Sequence, residues 1–186
     1  MTELIRNPEA MRKAKNELKQ TIGCGVPLEE SNITELPYLN AIIKETLRKH
    51  PPVPFLLPRK AERNVEISGY IIPKDSQVLV NVWTICRDPN LWENPTLFSP
   101  ERFLGSDIDV KGRNFELVPF GGGRRICPGL QLANRMLLLM LGSLVNSFDW
   151  ELEGGMKPED MDMDDKFGLT LQKAKPLRIV PLQLSN

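Results

Sequence analysis

The sequence has one histidine, His50, and only three cysteines, Cys24, Cys86 and Cys127. No two cysteines form a CxxC pair and no Cys/His group has zinc-ligand spacing, which excludes a structural zinc site. An odd, widely spaced cysteine set is no disulfide framework and points to a reducing compartment. Neither sign of charge is in excess, since Lys plus Arg and Asp plus Glu are both 24, so nothing in the balance marks a nucleic-acid partner. There is no long hydrophobic run either. The most apolar stretch, "MLLLMLGSLV" from Met136 to Val145, falls well short of the ~18 residues a membrane span needs and predicts a buried helix. The first residues, "MTELIRNPEAMRKAKNELKQ", are charged and amphipathic, unlike a signal peptide or an anchor.

Proline, by contrast, is abundant, with 16 in 186 residues, and predicts frequent stops and extended segments. The length suits one domain, 1–186, with a real core. Asn7-Pro8-Glu9 opens a helix to about Gly23, with proline at an early position and an acid in the first turn. "GCGVPLEESN" reads as a loop. A second helix starts near Leu36-Pro37 and stops at Pro51-Pro52, with Leu36, Leu39, Ile43 and Leu47 on one face. "PPVPFLLPR" is expected to be extended. "NVEISGYIIPKDSQVLVNVW" predicts short strands and turns, with Val78, Val80 and Val82 alternating. A long irregular meander from Arg87 to Pro119 suggests function. Pro128 can open a helix to about Phe148. An acidic loop and terminal strands follow.

The chemistry concentrates in "PFGGGRRICPGL", Pro119 to Leu130. A buried structural cysteine is the commonest fate of a free thiol. A phosphate loop fails because "GGGRRICPG" lacks Gly-Lys-Ser/Thr. A catalytic thiol fails because no cysteine-protease signature is present. A metal-ligating thiolate accounts for more of these residues. A helix N-terminus just beyond Cys127 would favour the thiolate. The glycines would let backbone approach a flat ligand and aim N–H groups at the sulfur. Arg125 could reach an anionic edge, and Phe120 could cover the sulfur. A planar, dianionic, iron-containing macrocycle meets all these demands.

Phe120, Gly123, Arg125, Cys127 and Gly129 fill every defined position of FxxGxRxCxG, and on that motif the sequence resembles the cytochrome P-450 family. "ETLR", with Glu45 and Arg48, resembles the family's ExxR, and Pro100-Glu101-Arg102-Phe103 its PERF-type segment. On spacing alone Glu45–Arg48 is an exposed i,i+3 pair opposite the leucine stripe, worth well under ~1 kcal/mol. The resemblance implies instead a buried network of Glu45, Arg48 and Arg102 beneath the cysteine loop. It also implies haem b as cofactor, Cys127 as axial iron ligand, and Arg125 and Arg59 at the propionates. It places Val53, Phe55 and Leu56 beside substrate, and Phe167, Gly168 and Leu169 at a turn reaching the same cavity. "LPYLNAIIKETLRKHPPVPFLLPR" and "DDKFGLTLQKAKPL" are similar to the plant group containing geraniol 8-hydroxylase. The implied function is a haem-thiolate monooxygenase acting on a small lipophilic, terpenoid or phenylpropanoid-type substrate. It would use O2 and a NADPH-dependent flavoprotein reductase; Arg124 and Arg135 read either as solvated surface charge or as positive charge that attracts such a partner.

The implied fold is mainly α with small β-sheets (α+β), the C-terminal haem-binding part of the family fold with its distal helices missing. The family's A/G-G-x-D/E-T pattern, which guides protons to bound dioxygen, is not in this sequence, so catalytic residues beyond the ligand stay unassigned. The alternative is therefore a truncated, non-catalytic haem-binding fragment, poorly soluble alone. Family members sit on the cytosolic face of the endoplasmic reticulum; without an anchor this chain is expected to be cytoplasmic. His50 reads as a helix-terminal packing residue, Cys24 and Cys86 as structural, and Trp92 as a meander anchor. Asp160, Asp162 and Asp164 lack the glycine and glutamate of a calcium loop and read as solvated.

Overall fold

The computed structural model describes residues 1–23, 26–168 and 170–183. Cys24 and Leu169 therefore lie outside the described residues. Helix α1 (Thr2–Arg6) is followed at once by α2 (Pro8–Thr21), with Pro8 in the first turn as expected. Ala10, Ala14 and Leu18, each four apart, form the buried stripe of α2. A 3₁₀ turn (Glu30–Glu35) leads to α3 (Pro37–Lys49). The Glu17 carboxylate, reaching across from α2, accepts from the backbone N–H groups of Tyr38 (2.6 Å) and Leu39 (2.8 Å). Those donors belong to the unsatisfied first turn of α3, so the acid does the work of a cap.

The leucine stripe Leu36, Leu39, Ile43 and Leu47 is buried, but so is the opposite side of α3, where Glu45 and Arg48 point. The expectation of an exposed ion pair thus fails. The meander closes over that side, and the 3₁₀ turn Pro100–Phe103 packs directly on the helix.

Every sheet among the described residues is an antiparallel pair. Strand β1 (Arg59–Lys60) pairs with β4 (Gln77–Val78). Between them β2 (Val65–Ile67) and β3 (Tyr70–Ile72) form a hairpin. The valine alternation does not continue as a strand, because Val82 starts a short helix, α4 (Val82–Ile85), capped by Asn81 Oδ1 accepting from Thr84 N. The proline-rich segment also departs from an extended run. Pro54 sits second in a turn closed by Leu56 N donating to Val53 O (3.1 Å), and Leu56 takes φ 51°. Proline fixes φ at a value this turn position accepts, so the residue expected to stretch the chain bends it.

Helix α5 spans Leu130–Ser147, with Gly129 as its cap and Pro128 outside it. Its apolar stretch from Met136 to Val145 was expected to be buried. Only one stripe is, through Leu138, Gly142 and Val145, while Leu132, Met136, Leu137 and Met140 are exposed. Gly142 makes the close approach possible, since a Cβ there would lie 2.5 Å from Leu28 Cδ2 and 3.0 Å from Leu39 Cδ2. Strand β5 (Phe148–Leu152) pairs over its whole length with β8 (Ile179–Gln183). Strands β6 (Asp165–Lys166) and β7 (Gln172–Lys173) form the acidic-loop hairpin. Asp162 pairs with Lys175 at 2.9 Å, and no acidic cluster among the described residues is arranged to hold a metal ion.

Candidate functional site

The helix α3 supplies the foundation. Arg48 donates from Nε to Glu45 Oε2 (2.7 Å) and from Nη2 to Glu45 Oε1 (2.8 Å), and both side chains are 0% exposed. The same guanidinium donates to the carbonyls of Cys86 (2.6 Å) and Leu97 (3.3 Å). Arg102 Nε reaches Glu45 at 3.2 Å, and Ser99 N donates to Glu45 Oε1 at 2.9 Å. Trp92 lies against both guanidinium groups, 5.4 Å from Arg48 and 5.9 Å from Arg102, and packs on Phe103. Three stretches of meander are thereby tied to one helix face: Cys86, Leu97–Ser99 and Arg102.

From there the chain runs through buried Leu117 and Val118 to the cysteine loop. Cys86 is fully buried, its Sγ 3.8 Å from the Glu116 carbonyl, and burial pushes its thiol up to about 11. It stays protonated and inert in the core. Within the loop, Gly121 N donates to Val118 O (2.9 Å) and Cys127 N to Phe120 O (3.0 Å), so the two ends are bridged by backbone. The Cys127 amide is spent on that bridge. Helix α5 starts three residues beyond Cys127, with Leu130 N donating to Cys127 O (3.3 Å). The field of a helix end fades within a turn, so it reaches the sulfur from farther off than the sequence suggested.

Cys127 is only half-buried, and it opens onto a cleft of roughly 1050 Å³ counted with the solvent at its mouth. One wall is Pro119, Phe120, Gly121, Arg125 and Pro128, and the other is Pro52, Val53 and the run 56–59. Of the residues singled out from sequence, Cys127, Phe120, Arg125, Arg59, Val53 and Leu56 come together here. Gly123 begins a 3₁₀ turn beside open space, and Gly129 lies where a Cβ would sit 3.8 Å from Cys127 Sγ. Phe55 and Phe167 do not line the cleft; Phe167 is 76% exposed. Its hairpin nonetheless reaches the proline-rich wall, where Leu171 N donates to Pro52 O (2.7 Å). Trp83 N donates to Pro54 O (3.2 Å), and Arg87 Nη2 to the Lys49 carbonyl, so that wall is held from several directions.

Arg59 and Arg125 face the cleft with no ion pair to any described residue. Two guanidinium groups at the rim of one apolar cleft suit a ligand with two anionic arms. A soft thiol at the floor suits a transition metal with thiolate affinity. The residues present therefore fit a flat, dianionic, metal-bearing ring.

Sequence reasoning read His50 as packing, and it does end α3, but its Nε2 lies 2.7 Å from Glu3 Oε1. Lys49 Nζ is 3.1 Å from the same oxygen. Burial would push Glu3 up, but the His50 hydrogen bond and the Lys49 charge outweigh it and hold the carboxyl at about 2. Glu17 was also missed; a long-range cap leaves no motif in a single sequence.

The family model for cytochrome P450 matches residues 1–179. Cytochrome P450 76AD1 of Beta vulgaris is 63% identical over 98% of this chain and 37% of its own length. Geraniol 8-hydroxylase of Catharanthus roseus is 61% identical over 99% of the chain and 37% of its own. A solved zebra fish cytochrome P450 with abiraterone superposes with a TM-score of 0.84 at 31% identity, covering 97% of this chain and 41% of that one. The chain thus spans well under half the length of the relatives it matches.

Proposed function

This chain belongs to the cytochrome P450 family, whose cofactor is haem, and from that premise we propose that the cleft at Cys127 is the haem site of a monooxygenase. The observation that carries the proposal is the meeting of one accessible thiol and two arginines around a single apolar cleft. Cys127 Sγ would hold the iron, as a thiolate that donates charge to the metal. Arg125 on one wall and Arg59 on the other would hold the two propionates by charge-assisted hydrogen bonds. Phe120 screens the sulfur from water. Glu45, Arg48 and Arg102 take no part in the reaction; they hold the meander that carries the loop. When bound, haem supplies the redox centre at which dioxygen is activated and one oxygen atom is inserted into substrate.

Val53 and Leu56 present apolar surface on the proline-rich wall and suit a small lipophilic substrate. The relatives include two geraniol 8-hydroxylases and a drimenol monooxygenase, which supports a terpenoid for this protein. Electrons would come from a NADPH-dependent flavoprotein reductase. Arg124 is exposed on the loop, and Arg135 pairs with Glu30 at 3.1 Å on exposed surface; both offer positive charge to an acidic partner. No described helix is long and apolar enough to cross a membrane.

The openness of the cleft favours a second reading, haem binding without turnover. One experiment separates the two. The haem-loaded protein is mixed with the reductase, NADPH, a monoterpene alcohol and isotopically labelled dioxygen. A product carrying one labelled oxygen establishes the monooxygenase. Bound haem with no labelled product leaves haem binding alone.

A further inference from the structure

We propose that Gly112, in the meander, is a positioning residue for Cys127: its missing side chain sets how deeply the cysteine loop seats. The inference rests on Cys127 as the iron ligand. Gly112 has φ +75°, and a Cβ there would lie 2.9 Å from Gly121 O, from Gly122 Cα and from Ile126 Cδ1. Two of these three are backbone atoms, which cannot swing aside as a side-chain tip can. The approach is mutual, because a Cβ on Gly122 would lie 3.1 Å from Gly112 O.

The three contacted residues sit at the two ends of the bridge that fixes the sulfur. Gly121 follows Phe120, whose carbonyl accepts from Cys127 N at 3.0 Å, and Ile126 precedes Cys127. Pressure from position 112 therefore falls on both ends of that bridge. The meander cannot yield instead, because its tip is clamped. Lys44, next to Glu45 on α3, donates from Nζ to Ile108 O (2.7 Å). Asp109 N donates to Asn114 Oδ1 (3.1 Å), Lys111 N to Asp109 Oδ1 (2.8 Å), and Val110 is buried. The helix carrying the buried ion pair thus sets the cysteine loop through a second route, Lys44 to Gly112.

The test compares Gly112→Ala with Gly105→Ala in haem-loaded protein. Gly105 has φ +68° and nothing within 4 Å of an added Cβ, so the control carries the same backbone strain without the contact. The readout is the absorption spectrum of the reduced, carbon-monoxide-bound form, at equal haem content and well below each variant's melting temperature. Gly112→Ala is expected to lose the thiolate-type Soret band in favour of the non-thiolate one by about tenfold relative to Gly105→Ala, as overpacking against rigid backbone implies. If Gly112→Ala cannot be isolated folded, Gly122→Ala, whose Cβ would lie 3.1 Å from Gly112 O across the same approach, is expected to show the same loss in weaker form. Equal spectra for Gly112→Ala and Gly105→Ala, or no change in Gly122→Ala, would overturn the inference while leaving Cys127 as ligand. A wild-type protein with no thiolate-type band would instead remove the reading on which the inference rests.

Discussion

Replacing Glu45 by alanine is expected to cost about 3–5 kcal/mol, the range for stranding one partner of a buried pair. Four donors converge on this carboxylate: Arg48 Nε at 2.7 Å, Arg48 Nη2 at 2.8 Å, Ser99 N at 2.9 Å and Arg102 Nε at 3.2 Å. Without it, Arg48 remains charged at 0% exposure with the Cys86 and Leu97 carbonyls and the Trp92 ring to face but no counter-charge. That is a large part of the ~5–15 kcal/mol that holds an ordinary domain together. Arg102→Met is expected to be milder, about 1–2 kcal/mol, because its side chain is 13% exposed and Glu45 keeps its Arg48 bonds. Arg48→Lys keeps the charge but loses the two-pronged geometry and should fall between them. The double variant Glu45→Met/Arg48→Met should cost less than the sum of its singles by about 2 kcal/mol, since it leaves no unpaired charge at position 48 in the core. The assay is urea unfolding followed by circular dichroism, with m checked for constancy. A Glu45→Ala cost under ~1 kcal/mol would refute the reasoning and return the pair to the status of a surface ion pair.

Two further outcomes follow from the geometry. Glu3 is held near 2 by His50 and Lys49, against burial. A depressed carboxyl stabilises the fold above its ordinary value of 4.5, and that contribution is lost as pH falls from there to about 2. The loss amounts to up to ~3 kcal/mol before solvent screening is discounted. Stability measured from pH 5 to pH 2 should fall less steeply in Glu3→Gln, and an unchanged slope would contradict the assignment. Arg125→Ala and Arg59→Ala should each weaken haem binding by about tenfold at low salt, the worth of one charge-assisted contact, with a smaller gap at high salt. Haem titration followed by absorbance checks this.

The cysteine loop was legible in the sequence because its chemistry is local: five fixed residues within ten define it. The helices α2, α3 and α5 were legible for a related reason, since proline and hydrophobic spacing mark their starts and faces. What the sequence did not show is what covers each face. Glu45 and Arg48 sit on the polar side of α3 by spacing, and only the meander, whose path has no period, explains their burial. The reverse error arose in α5, where apolar composition suggested burial but a single stripe packs. Pro54 misled for a simpler reason, since its fixed φ suits both extended chain and a turn, and the Leu56 contact decides. Gly112 and Glu17 act on residues close in space and remote in sequence, so neither has a local signature.

The central claim is that the Cys127 sulfur is bonded to the haem iron. X-ray absorption at the iron edge tests it most directly, on haem-loaded wild type and Cys127→Ser. One sulfur neighbour on iron in the wild type, absent from the variant, is the predicted result. An iron shell of nitrogen and oxygen alone in the wild type, or a sulfur neighbour that persists in Cys127→Ser, would contradict it.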